Sequence, residues 1–100
     1  MDEIAPGASD LVGDQTPAID LVSRIQRIES GLSPAERRVA EAVASDYQAT
    51  TRMTISELAS KAGVSQPSVT RFCRSVGCSS FGEFKILLAT TLTVAAVYLS

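Results

Sequence analysis

Apolar and polar positions follow a helical period along most of this chain. From Ala18 onward, an apolar stripe alternates with a charged one, which predicts a first amphipathic helix that ends near Gly31. Arg24 is among the charged residues placed on the solvent side of this helix. The apolar stripe consists of Ile19, Val22, Ile25, Ile28 and Leu32. Residues 1–17 have no period and are rich in Asp, Gly, Pro, Ser and Thr, so we expect a disordered acidic tail.

Capping signals mark the next two helices. Ser33 and Glu36 form a capping box at the start of a second helix, and Thr54 and Glu57 form another ahead of a short third helix, Ile55 to Ala62. The apolar face predicted for the second helix comprises Val39, Ala40, Val43, Ala44 and Tyr47.

Two further helices complete the pattern. The fourth follows Ser65 and ends near Val76, and the fifth spans about residues 81–92 after a cap at Ser79 or Ser80. The inward residues of the fifth are Phe81, Phe84, Leu87 and Leu88. No strand pattern competes, so we predict an all-α fold of five helices.

Only Gly63, Val64 and Ser65 separate the third and fourth helices. Two helices that cross steeply need a small residue at their contact, which Ala59 supplies, and a residue that tolerates a left-handed turn, which Gly63 supplies. Apolar side chains must fill the wedge between the helices: Leu58, Val64, Val69 and Phe72. This combination predicts a homeodomain-like helix-turn-helix unit.

Such a unit places the start of its second helix in the DNA major groove. The candidate DNA-binding residues are Lys61, Ser65, Gln66, Ser68, Thr70, Arg71 and Arg74. In the fourth helix, Gln66, Pro67 and Ser68 need not pack on protein, and Thr70, Arg71 and Arg74 are also expected to face outward. Gln can pair with adenine and Arg with guanine, and Ser65 at the helix start suits a phosphate. Arg74 is either a base contact or a solvated charge, and Lys61 is either a phosphate contact or solvated. Arg52 and Lys85 flank the motif and could touch phosphates, although a solvated charge is the better interpretation of Arg52.

Charge is segregated along the 100 residues, whose net charge is −2. Residues 1–20 hold five acids and no base, whereas residues 52–85 hold five bases and two acids, a local net of +3. No acid lies between Ala59 and Gly82. A basic middle segment behind an acidic one favours a polyanionic partner, double-stranded DNA.

Other classes of function find little support in the sequence. The chain has no His and only two Cys, so we expect no metal, no cofactor and no enzymatic activity, and we interpret Cys73 as a buried free thiol. The apolar run from Ile86 to Leu99 is interrupted by threonines and is short for a membrane span, and no basic signal begins the chain, so we expect a cytoplasmic protein. The alternative is a helical interaction or dimerisation module that docks a protein through the apolar first helix or through this run.

Two segments, LSPAERRVAEAVASD and TISELASKAGVSQPSVTRFCRSVGCSSFGEFKILLA, resemble in order the N-terminal domain of RpiR-type bacterial transcription regulators. The resemblance covers about residues 20–92. Within the family, the sequence is most similar to regulators of hexose and central carbon metabolism. Pro67 departs from the small residue, commonly Ala, of the family pattern.

The resemblance also implies an organisation for the whole protein. It implies a DNA-binding domain over residues 18–92, a homodimer in the full-length protein, and a sugar isomerase (SIS) domain that binds a phosphorylated sugar effector. That SIS domain is absent here, so residues 93–100 are expected to begin the linker to it.

Overall fold

The computed structural model describes the backbone of residues 17–99 and the side chains of residues 21–94. Within this part of the chain the fold has six α-helices, one 3₁₀ turn and no strand, which confirms the all-α prediction. The elements are α1 (Pro17–Ile28), the 3₁₀ turn (Glu29–Gly31), α2 (Pro34–Ser45), α3 (Tyr47–Thr50), α4 (Ile55–Ala62), α5 (Gln66–Ser75) and α6 (Phe81–Leu99). The tail predicted for residues 1–17 lies outside the described residues, except that Pro17 already belongs to α1.

Both predicted capping boxes are present. The Ser33 hydroxyl accepts from the amide of Glu36, whose carboxylate accepts from the Ser33 amide, both at 3.2 Å. Thr54 and Glu57 make the same reciprocal pair at 3.1 and 2.8 Å. Each pair satisfies two amides that have no partner within the helix, and this fixes where α2 and α4 begin.

The predicted extension of the second helix to Tyr47 is wrong. The backbone leaves the helical region at Asp46, at φ −164° and ψ 92°, and a separate helix, α3, begins there. The Asp46 carboxylate accepts from the amide of Ala49 at 3.0 Å, so Asp46 caps α3. Residues 17–99 therefore form six α-helices where the sequence pattern predicted five.

One hydrophobic core joins all the longer helices. Val39, Val43, Leu58, Val69 and Phe72 are fully buried, as predicted. The rings of Phe72 in α5 and Phe84 in α6 meet edge to face with centroids 5.5 Å apart. This contact packs α5 against α6, the last helix.

The buried residues differ from the predicted core in two places. Ala44 is exposed, and Ala42 is buried instead, because the buried face of α2 is centred on Val39 and Val43. Leu21 of α1 is fully buried, although it was not among the residues predicted to face inward.

The last helix, α6, packs most extensively against α1 and continues to Leu99, past the boundary expected at residue 92. Its threonines do not interrupt it, and the hydroxyls of Thr90, Thr91 and Thr93 each find an acceptor in the carbonyl four residues earlier, at 2.9–3.0 Å. Among the helices of the described residues, none combines the length and apolarity needed to cross a membrane.

Candidate nucleic-acid interface

The turn between α4 and α5 has the predicted helix-turn-helix geometry. Gly63 adopts φ +72° and ψ 35°, in the left-handed region. The amide of Val64 donates to the carbonyl of Ala59 at 3.0 Å, and the amide of Gly63 donates to that of Ser60 at 3.1 Å. These bonds close the end of α4 and reverse the chain within three residues.

The first two residues of α5 are open to solvent. Ser65 caps the helix through its hydroxyl, which accepts from the amide of Ser68 at 3.4 Å. Gln66 and Pro67 follow and are both exposed, as predicted. Pro67 removes a donor that would have no helical partner at this position, so it leaves the helix start intact.

The exposed side of α5 borders an open depression of about 560 Å³. We call it the α5 depression. Its lining residues are Ile55, Gln66, Pro67, Thr70, Arg71 and Arg74. It thus brings together four of the predicted site residues, two of them arginines, and no acidic residue lines it. The arrangement offers cationic and amide donors on one face, as a DNA-reading surface requires.

Ser68 is not on this face, and its predicted outward placement is wrong. Only 4% of Ser68 is exposed. Its hydroxyl accepts from Nη2 of Arg71 at 3.0 Å and shares a hydrogen bond of 3.1 Å with the hydroxyl of Ser65. Ser68 precedes the buried Phe72 by four residues, so helical spacing could have placed it on the inward stripe. The Ser68 hydroxyl therefore binds the Arg71 guanidinium from the buried side of α5 and does not face solvent.

Lys61 is exposed but lies apart from the other predicted residues. It borders a second depression of about 310 Å³ between α2 and α4, together with Arg38, Glu41 and Ser45. Lys61 therefore lies on a different surface from the arginines of the α5 depression.

Two charged side chains near the motif, Lys85 and Glu83, are engaged within the protein. Nζ of Lys85 donates to the carbonyl of Met53 at 2.9 Å and lies 5.0 Å from the centre of the Phe81 ring. Glu83 accepts from the amide and hydroxyl of Ser79, and these bonds hold the pKa of its carboxyl below the ordinary value. Arg52 is exposed, as expected for a solvated charge.

Arg24 is the functional candidate that the sequence interpretation missed. It was placed on the solvent side of α1, which is wrong, because Nη1 donates to the carbonyl of Val76 at 2.6 Å and the side chain is half-buried. Arg24 follows the buried Leu21 by three residues and precedes Ile28 by four. That spacing puts it on the apolar stripe and was the available signal.

Residues 19–94 match the helix-turn-helix domain of the rpiR family. The "Bifunctional protein glk" of Paraburkholderia xenovorans (strain LB400) is 41% identical over 90 residues, which are 90% of this chain and 14% of that protein. The "HTH-type transcriptional regulator HexR" of Pseudomonas aeruginosa is 43% identical over 81 residues, 81% of this chain and 28% of that protein. This chain therefore spans only a small part of the length of both relatives.

A solved structure has the same architecture. The N-terminal domain of the transcriptional regulator ybbH from Bacillus subtilis superimposes with a TM-score of 0.70 at 27% sequence identity. The superposition covers 74% of this chain and 90% of that domain.

Proposed function

Because the chain belongs to the rpiR family of helix-turn-helix domains and is a DNA-binding domain, we propose that α5 enters the major groove of a specific operator. The α5 depression is the observation that carries this proposal. It joins an exposed helix start to two arginines, with no acidic residue in its lining. A surface of this kind attracts phosphates and offers donors to base edges.

Roles follow from exposure and reach. Gln66 at the first position of α5 and Arg71 near its middle are exposed and read bases, since both can form two hydrogen bonds with one base edge. Thr70, half-buried in the same depression, contacts a base or sugar at its rim. Arg74 reaches a base edge or a neighbouring phosphate. Ser65 at the helix start binds a phosphate, and Lys61 binds one outside the groove.

The whole protein is, in this proposal, a cytoplasmic bacterial transcription regulator of sugar and central carbon metabolism. The similarity to HexR supports it, as does the resemblance to hexose regulators. Such a regulator binds paired half-sites as a homodimer, and a phosphorylated sugar held by an SIS domain controls it. The helix-turn-helix domain itself has no catalytic role in this scheme.

A second function, protein docking, has one observation in its favour. Among the side chains that the structure describes, Ile86 on α6 is the one large apolar side chain that is exposed, at 71%. Docking there is compatible with DNA binding, because Ile86 does not line the α5 depression.

Selection of bound sequences from a random DNA pool tests the proposal. The recovered operator and a shuffled duplex of equal length and composition are then compared by fluorescence anisotropy. We expect the operator to bind at least about tenfold more tightly, because each correctly read base pair contributes about 1–3 kcal/mol. Equal affinity for both duplexes would contradict sequence-specific recognition, and no measurable binding to either would contradict DNA binding itself.

A further inference from the structure

Two cationic side chains from outside the helix-turn-helix unit bind backbone carbonyls at its two ends. Arg24 of α1 donates to the carbonyl of Val76, the residue that follows α5, at 2.6 Å. Lys85 of α6 donates to the carbonyl of Met53, which precedes the cap of α4, at 2.9 Å. The two bonds thus lie immediately before α4 and immediately after α5.

The Arg24 bond is built into the surrounding backbone. Gly77 adopts φ +94°, and a Cβ at this position would lie 2.9 Å from Nη1 of Arg24. A glycine therefore serves both the left-handed turn and the close approach of the guanidinium. The cation also lies at the carbonyl end of α5, where the helix dipole favours positive charge.

The Lys85 bond is similarly supported. Its ammonium lies 5.0 Å from the centre of the Phe81 ring, and Phe81 is itself buried. The ring attracts the cation and restricts it to one side of α6, next to the Met53 carbonyl. The charge of Lys85 is therefore used within the protein.

The arrangement of helix contacts shows why these bonds matter. The helices α2, α4 and α5 pack on one another, while α1 and α6 make the most extensive contact in the fold and meet α5 through the Phe72–Phe84 contact. The carbonyls that Arg24 and Lys85 hold are close in sequence to the borders of the α5 depression. Val76 lies two residues after Arg74, and Met53 lies two residues before Ile55.

We propose that Arg24 and Lys85 are positioning residues for DNA recognition, which hold the two borders of the α5 depression against the α1–α6 pair. This inference rests on the proposed function, because it concerns how α5 meets its operator. Neither cation neutralises a DNA phosphate. Loss of either bond lets one border shift, which misaligns base contacts while the number of phosphate contacts stays the same.

The test uses Arg24→Met and Lys85→Met, which keep the apolar stem and remove the donor. Affinities for the operator and the shuffled duplex are measured at several salt concentrations, well below the melting temperature of each variant. We expect the operator preference to fall about tenfold, the effect of about one lost base contact. We expect the slope of log affinity against log salt to stay at the wild-type value, because that slope counts neutralised phosphates.

Two further variants control the result. Arg38→Met removes the same charge from an exposed residue of α2 that borders only the second depression, and it should leave the operator preference unchanged. Arg24→Lys keeps a cationic donor and should recover most of the preference. If Arg24→Met does not fold, Lys85→Met applies the same test at the other end.

An unchanged operator preference, or a slope reduced by about one phosphate, would overturn the inference. Amide hydrogen exchange without DNA gives an independent measurement. Arg24→Met should speed exchange at Val76, Gly77 and Cys78 and leave the amides of α2 unaffected, and exchange unchanged at all three would also overturn it. If the wild-type domain showed no operator preference, the proposed function would fail, and only the exchange data would then test the bond to Val76.

Discussion

Among single residues, Arg71 has the clearest fit to a base-reading role. Its side chain is exposed, yet Nη2 is held by the buried hydroxyl of Ser68 at 3.0 Å. A guanidinium has five N–H donors, so four remain for DNA after this bond. Because Ser68 restricts the side chain before DNA arrives, less conformational entropy is lost on binding.

We expect Arg71→Ala and Lys61→Ala to affect DNA binding differently. Loss of Arg71 should weaken operator binding by about 1–3 kcal/mol, because a two-bond base contact disappears, and should affect the shuffled duplex much less. Loss of Lys61, which lies apart from the α5 depression, should weaken both duplexes by similar factors and reduce the salt slope. Measurements of both variants on both duplexes at two salt concentrations distinguish the roles, and an equal loss on both duplexes for Arg71→Ala would identify a phosphate contact instead.

The thiol of Cys73 should make stability depend on pH at the alkaline end. Cys73 is a fully buried free thiol, as predicted, and burial, followed by the nearby Cys78, raises its pKa from 9.0 to about 12. Well below pH 9 the thiol is protonated in both the folded and the unfolded state. As pH rises from 9.0 to about 12, the unfolded chain loses this proton first, so unfolding is favoured and stability falls.

Chemical denaturation at a series of alkaline pH values measures this loss. Cys73→Ala lowers stability at every pH, because it leaves a cavity, but its further decline above pH 9 should be smaller than that of the wild type. Thiol reagents should also label neither cysteine of the native chain near neutral pH, since the thiolate is the reactive form. Identical pH slopes for the two proteins would show that other groups cause the decline.

At the scale of elements, the turn between α4 and α5 depends on Gly63. Nothing lies within 4 Å of a Cβ built at Gly63, so the cost of a side chain there comes from φ +72° alone. We expect Gly63→Ala to lower the free energy of unfolding by about 1–2 kcal/mol. Gly31 provides a matched control, because it also has open space around it and does not have a positive φ. Gly31→Ala should change stability little, and thermal or chemical denaturation of both variants makes the comparison; equal effects would mean that the turn does not depend on its left-handed residue.

The sequence predicted elements where the signal is local. Ser33, Thr54, Ser65 and Gly63 fix helix ends through bonds to residues no more than a few positions away, and the bounds of α4 were predicted to the residue. The break at Asp46 is local too, but the apolar Tyr47 continued the helical pattern and hid the cap.

The rest depended on tertiary contacts. Arg24 meets Val76 across 52 positions and Lys85 meets Met53 across 32. No local pattern marked the bond of Lys85. Arg24 does lie on the apolar stripe of α1, but its charge outweighed that spacing in the interpretation. Ser68 was misplaced because its polarity outweighed its position on the buried stripe.

At the scale of the whole molecule, the first segment of the chain is acidic and a later segment is basic. Residues 1–16 carry four acids and no base, whereas residues 52–85 carry a net charge of +3. The five bases of that segment are not equally available to DNA. Lys85 binds a protein carbonyl, whereas Arg71 lines the α5 depression. The charge available to DNA is therefore smaller than the formal count and is concentrated beside α5.

This distribution leads to a prediction about salt and about residues 1–16. If two or three cations neutralise phosphates, log affinity should fall with log salt at a slope of about −2 to −3, since each contact contributes about −0.9.

Deletion of residues 1–16 removes four acids and leaves α1 intact from Pro17. The shortened chain should bind the operator at least as tightly as the full chain at low salt, because an acidic segment can only repel a polyanion, and the difference should vanish as salt screens it. Anisotropy titrations of both chains over a salt series measure both effects. A slope near zero would contradict the role of the basic segment, and a loss of affinity on deletion would show that residues 1–16 contribute to binding in a way that their charge does not explain.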